Sequence, residues 1–267
     1  MGRTRGTWNT KGAWLAGTAL AAVLALTGYV AFSGDDDGKD TPGSAGSSAG
    51  ASTPPAADPG PTYAAPEDWT EPERWVALPR GKRTDESGSE VGFPRTTEGA
   101  VAMAAASNST AIEGGSTAVD EQLRIYYSYL SAADQSSEAA EKVELRALQT
   151  DKTLARQMGV SPGGPLPSGA YVRSAVVGYQ IIEESGSEVT VWLLSRVTQK
   201  NGESAKESGS YTRTLAGAQW TGGDWKVTGA ATQQALRDTE GKARPEMGAP
   251  GDAAFNAAGW TAIREAS

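Results

Sequence analysis

Neither cysteine nor histidine occurs among the 267 residues of the chain. The first absence excludes a disulfide framework, a lipid-modified cysteine and every thiolate metal site. The second removes the commonest general base and the commonest transition-metal ligand. Positive charge is also short. With 24 Lys and Arg against 32 Asp and Glu, the formal net charge is -8, which argues against a sequence-independent grip on phosphate backbones, so no direct nucleic-acid binding is expected. Hydrophobic residues make up only 38%, whereas Gly and Pro number 33 and 14. Part of the chain therefore has no core to contribute to. The expectation is a protein with no catalytic residues, no cofactor and no metal.

One uncharged run stands out, Ala13 to Phe32 (AWLAGTALAAVLALTGYVAF). Its roughly 20 residues would span ~30 Å as a helix, enough to cross a bilayer once. Arg3, Arg5 and Lys11 precede it, and Asp35, Asp36 and Asp37 follow it. The positive-inside preference then keeps residues 1–12 in the cytoplasm and places everything beyond 32 outside the cell membrane. A cleaved signal peptide is the competing reading, but Val30, Phe32 and the acidic run do not supply a small-x-small cleavage site. The three aspartates lack the glycine and distal glutamate of a calcium loop, and read as a solvated topological signal. Residues 33–66 (SGDDDGKDTPGSAGSSAGASTPPAADPGPTYAAP) hold almost nothing to bury and read as a disordered linker. A coil of about 30 residues reaches ~30 Å, far enough to hold a folded domain clear of the headgroups.

Ordered sequence resumes at about residue 67 with Trp69, Trp75, Val76 and Leu78. Helical spacing then recurs three times. A first, Ala-rich helix is expected from Thr97 to Ser107, capped by Thr96 or Thr97, with Ala100, Val101, Ala104 and Ala105 on one face. A second starts at Thr117 with Asp120 and Glu121 in its first turn, and carries Val119, Leu123, Tyr126, Tyr127 and Leu130. A third runs from Ser136 to Met158, with Val143, Ala147, Leu148, Leu154 and Met158 on its apolar side, until Gly159 and the following prolines stop it.

The period then changes from helical to alternating. Tyr171, Val177, Tyr179 and Ile181 mark a first strand, and Val189, Val191, Leu193 and Val197 a second. Asn201-Gly202 marks a reversal, after which Tyr211, Leu215 and Trp220 form a third strand and Trp225 and Val227 a short fourth. The fold class is α+β: two to three helices packed on a four-stranded antiparallel sheet, over residues 67–236. Residues 237–267 read as a flexible tail, in which Phe255, Trp260 and Ile263 could form a short docking helix.

Two segments carry a family resemblance. One is the W-x-x-x-x-W-K-V hairpin from Trp220 to Val227. The other is the Gly-Phe-Pro-x-Thr-x-x-Gly-Ala step from Gly92 to Ala100, inside the stretch from Trp75 to Ala106. With the anchor, the linker and the helices-then-meander order, the chain resembles the NTF2-like group. Within it the chain resembles the extracytoplasmic VirB8 and TcpC components of conjugative type IV secretion systems. The second segment also looks like membrane proteins of conjugative elements in high-GC Gram-positive bacteria. The resemblance implies a curved, cone-like sheet, a structural or assembly role in DNA transfer, and partners that are the membrane, other transfer-apparatus proteins or further copies of the chain. Its enzymatic and ligand-binding branches use the cone as a pocket. The alternative is therefore a small-ligand-binding envelope protein, anchored or released.

Candidate site residues follow from chemistry. Trp192, Trp220 and Trp225 are large aromatics of the kind that anchor interfaces. Arg80, Lys82 and Arg83 form a basic cluster, as do Lys200 and Lys206, each interleaved with acids and equally readable as solvated loops. Tyr126, Tyr127, Tyr171 and Tyr179 could line a pocket, with a phenol donating a hydrogen bond; the plainer reading is amphipathic core residues. Asp120 reads as a first-turn acid rather than half of a carboxylate pair.

Overall fold

The computed structural model describes residues 69–264. The expected membrane helix 13–32 and the linker 33–66 lie outside the described residues. Among those described, no helix is long and apolar enough to cross a membrane.

Three short strands lead in: β1 (Trp75–Ala77), β2 (Arg83–Thr84) and β3 (Glu90–Val91). Helix α1 (Thr97–Ser107), strand β4 (Thr110–Glu113) and helices α2 (Ala118–Tyr129) and α3 (Ser137–Gln157) follow. Side-chain caps set the helix starts. Thr96 Oγ1 accepts the Gly99 N–H at 3.1 Å, and Ser136 Oγ accepts the Ala139 N–H at 3.1 Å. At α2 Thr117 and Asp120 form a reciprocal capping box, with bonds of 3.1 and 2.9 Å, so Asp120 is the first-turn acid expected and caps the helix as well. Gly159, at φ 69°, ends α3 in a conformation that a side chain would resist.

The meander comprises β5 (Ala170–Glu184), β6 (Glu188–Asn201), β7 (Ser208–Thr221) and β8 (Asp224–Val227). Beyond it come α4 (Gly229–Thr239), α5 (Ala253–Ala257) and β9 (Thr261–Arg264). The sheet is larger than the four strands expected. It has seven strands, ordered β1-β9-β5-β6-β7-β8 with β4 also on β5, and every pairing is antiparallel except β1 with β9. Register shifts in β5 between Val176 and Gly178, and between Ile181 and Glu183, mark bulges, which bend a strand.

Leu193 and Leu194 define the layers. Both are fully buried, although neighbours in a strand point to opposite faces. Leu193 packs with Val101 and Ala104 of α1. Leu194 packs with Phe255 and Trp260 beyond α4. Helices α1 to α3 thus cover one face, and α4, α5 and the turn that carries Trp260 cover the other. At α4 the approach is close: a Cβ on Gly217 of β7 would lie 2.3 Å from the Ala231 carbonyl oxygen.

The C-terminal segment accordingly differs from the flexible tail expected for 237–267. Phe255, Trp260 and Ala262 are all buried, and β9 sits inside the sheet, between β1 and β5. Burying a large apolar side chain such as Phe255 contributes roughly 1.5–3 kcal/mol, which is why a glycine- and alanine-rich stretch folds back. Phe255 alone lies in a helix, α5, while Ile263 lies in β9.

The helical stripes also differ in detail. In α2 the buried residues are Ala118, Gln122, Ile125, Tyr126, Ser128 and Tyr129, a stripe displaced from the one that Val119, Leu123 and Tyr127 describe. In α3 Leu148 turns outward and is 39% exposed.

Candidate functional site

The two segments that carry the resemblance dock onto each other. Asp224 opens β8 with its carboxylate buried. It accepts the N–H groups of Gly92 at 2.9 Å, Phe93 at 3.1 Å and Trp225 at 2.9 Å. Trp225, also buried, donates its indole N–H to the Pro94 carbonyl at 2.9 Å. Trp220 meets Trp225 edge to face at 5.5 Å, and Arg95 lies 5.5 Å above the Trp220 ring. Of the three tryptophans proposed for an interface, Trp225 is therefore core, and Trp220 is half-buried against it. Trp192, on the other face of the sheet, packs with the C-terminal cluster beneath the Arg213 guanidinium, 5.7 Å from its ring.

The four tyrosines do not gather in one pocket. Tyr126 is wholly buried, donating its hydroxyl to the Ser136 carbonyl at 3.0 Å and accepting the Ser136 N–H at 2.8 Å. Tyr127 is 54% exposed and stands edge-on to Tyr126 at 5.1 Å. Tyr171 donates to Glu207 on the far side of the β5–β6 ladder, with Arg173 4.3 Å above its ring. The carboxylate holds the Tyr171 proton, which raises the phenol's pKa. Tyr179 packs against α1 in the core, where burial raises its phenol's pKa. Tyr126 and Tyr127 share one contact, and Tyr171 and Tyr179 serve two others.

Arg80, Lys82 and Arg83 lie exposed at the β2–β3 hairpin. That hairpin is held from beneath: Asp85 accepts the N–H groups of Ser87 and Ser89, and Arg124 donates to Ser89 Oγ at 2.8 Å while pairing with Glu121 at 3.0 Å. A basic loop is thus presented on a fixed support. Lys200 and Lys206 flank the β6–β7 reversal.

Sequence reasoning missed a cleft of about 590 Å³ between the β4–α2 loop, the C-terminal half of α3 and the loop around residues 162–166. Its walls are mostly apolar, with Asp151 among them. Asp151 accepts the Ala118 N–H at 2.8 Å and the Val119 N–H at 3.4 Å, bracing the start of α2. Burial pushes its pKa up, and the charge of Asp120 adds to this against the lowering by the two amides. Nothing in the spacing of α3 marks Asp151; the proline and glycine run from Pro162 to Pro165 is the sole signal, and by itself it marks a helix stop. A second hollow, of about 420 Å³, is acidic, with Glu183, Glu184, Glu188 and Asp238 around it. Among the described residues no group of three or more acids is placed to hold a metal ion.

No family model, curated protein or solved structure matches the chain.

Proposed function

We propose that the chain is a membrane-anchored, non-catalytic structural or assembly subunit whose outer domain is NTF2-like and belongs to a conjugative, type IV secretion-like DNA transfer apparatus. The anchor is the apolar run 13–32, and the linker 33–66 sets the reach of the domain outside the cell membrane. What supports a scaffold role is that Tyr126, Tyr179, Asp224 and Trp225, all of them buried, are engaged in holding the fold.

The observation that carries the reading is where the chain enters the domain. Thr70 donates its N–H to the Gly251 carbonyl at 2.8 Å, Glu73 donates its N–H to Asn256 Oδ1 at 3.0 Å, and Asn256 returns a bond to the Glu71 carbonyl at 3.0 Å. Just beyond, β1 pairs in parallel with β9. The first described residues are thereby fixed to the body of the sheet, which supports a domain carried at its N-terminal end on a tether. The exposed basic hairpin and the half-buried Trp220 beside Arg95 are the surfaces assigned to partners or to a second copy.

The experiment is crosslinking in cells that carry the transfer apparatus, with a purification tag after Ser267 of the full-length chain. Recovery of coupling ATPases, channel proteins or crosslinked copies of the chain from the membrane fraction is expected. Recovery of the uncrosslinked chain alone contradicts the proposal.

A further inference from the structure

The cleft beside α3 is built differently from the surface around it. Its volume of about 590 Å³ falls within the roughly 300–1,000 Å³ of small-molecule sites. Ile112, Val119, Leu148, Leu154, Pro165 and Leu166 supply apolar wall, and the floor is core, since Ile112 and Leu154 are buried in one cluster with Val172 and Val197. Asp151 and Lys152 are the only charged residues lining it. Lys152 is exposed, whereas Asp151 is partly buried.

That asymmetry selects the ligand. A carboxylate among apolar walls has lost part of its water without gaining a cation: the two backbone N–H groups on Asp151 use one lone pair on each oxygen, and a second on each remains. An anionic amphiphile would bring a second negative charge to the same place, whereas a cation would restore what burial removed.

We propose that this cleft binds a small apolar molecule bearing an ammonium group, its body against the leucine and proline walls and its N–H donors on Asp151. Helix α3 supplies the acid, the loop around residues 162–166 supplies the outer wall, and the glycines Gly114 and Gly115 keep the rim low. This site stands apart from the basic hairpin and from the tryptophans, so it does not depend on the scaffold reading.

The test uses the full-length chain in lipid nanodiscs, with empty nanodiscs as the blank. Two rigid probes of similar shape, each water-soluble as its salt, are titrated calorimetrically: 1-adamantylamine and adamantane-1-carboxylate. Saturable binding of the amine, at least tenfold tighter than that of the carboxylate, is expected. Leu148→Arg, at an exposed position on the wall, should weaken the amine at least tenfold while leaving the far-ultraviolet circular dichroism unchanged. Asp151→Asn should remove the preference for the amine; if that variant fails to fold, Leu148→Arg still decides. No saturable amine binding above the blank, equal affinity for the two probes, or an amine affinity indifferent to Leu148→Arg would each overturn the proposal.

Discussion

Asp224 and Phe93 are 131 residues apart, yet the Asp224 carboxylate accepts the Phe93 N–H at 3.1 Å inside the protein. The same carboxylate takes the N–H groups of Gly92 and Trp225, and Lys226 approaches it at 3.4 Å. One buried side chain therefore joins the lead-in to the last hairpin of the meander. Replacing it by alanine leaves buried amides without acceptors, each costing roughly 1–3 kcal/mol. Asp224→Ala should lower the free energy of unfolding by about 3 kcal/mol or more, and Asp224→Asn, which keeps one oxygen, by less. Chemical denaturation of the two variants checks the order.

Gly99 gives a test of opposite sign to simple expectation. It lies in the first turn of α1, where alanine would ordinarily favour the helix by about 1 kcal/mol. A Cβ there, however, would sit 1.9 Å from the Pro94 carbonyl oxygen, and that oxygen is the acceptor for Trp225. Gly99→Ala should therefore destabilise by about 1–3 kcal/mol or more, as overpacking does. A melting temperature raised by the substitution would contradict this close approach.

Legibility followed the range of the interactions. The three helices could be placed because their starts are local: Thr96, Thr117 and Ser136 each cap the turn that follows. The four meander strands could be placed because hairpin turns and alternation lie within neighbouring residues. Strands β1 and β9 carry no such signal. They are three and four residues long and pair across almost the whole domain, so nothing local to Trp75 or Thr261 announces the partner. Burial on the second sheet face was hidden for the same reason. The run Val191-Trp192-Leu193-Leu194 has the apolar continuity of a strand covered on both sides, but the covering residues arrive only with Phe255 and Trp260. Of the candidate site, the aromatic and basic residues were visible by type, while the cleft around Asp151 depends on how a proline loop lies against α3.

The C-terminal segment should prove integral to the fold. Phe255 packs against Gly178, where a Cβ would lie 3.0 Å from its ring, and it is fully buried. Phe255→Ala should cost about 3–5 kcal/mol. A chain ending at residue 250 should unfold without a sharp transition, since β9 is the only strand that pairs with β1 among the described residues. Unchanged cooperativity in that truncation would show that the segment is dispensable.

Tyr126 and Tyr171 separate structural from incidental phenols. Both hydrogen bonds of the Tyr126 hydroxyl go to the Ser136 backbone, so Tyr126→Phe should cost about 1–2 kcal/mol. The Tyr171 hydroxyl reaches Glu207 at the surface, and Tyr171→Phe should change stability by no more than about 0.5 kcal/mol. Equilibrium unfolding distinguishes the two.

Asp151 gives a dependence on pH. Burial raises its pKa in the folded chain, with the Asp120 charge contributing, so the folded state holds this proton more tightly than the unfolded state. Its contribution therefore favours folding below the ordinary carboxylate range and is lost as pH rises through the raised value. Asp151→Asn should remove that falling limb from a plot of unfolding free energy against pH. An unaltered slope would mean that the carboxyl titrates alike in both states.

Whether an uncleaved anchor holds the folded domain outside the membrane can be measured directly because the chain has no cysteine of its own. Single cysteines placed at Ser87, in the exposed hairpin, and at Thr4, before the apolar run, give two full-length reporters. A membrane-impermeant maleimide applied to intact cells should label Ser87→Cys and leave Thr4→Cys untouched until the cells are lysed, with both proteins in the membrane fraction at full mass. Labelling of Thr4→Cys in intact cells, protection of Ser87→Cys, or release of a shortened protein into the medium would contradict an uncleaved anchor with the domain outside.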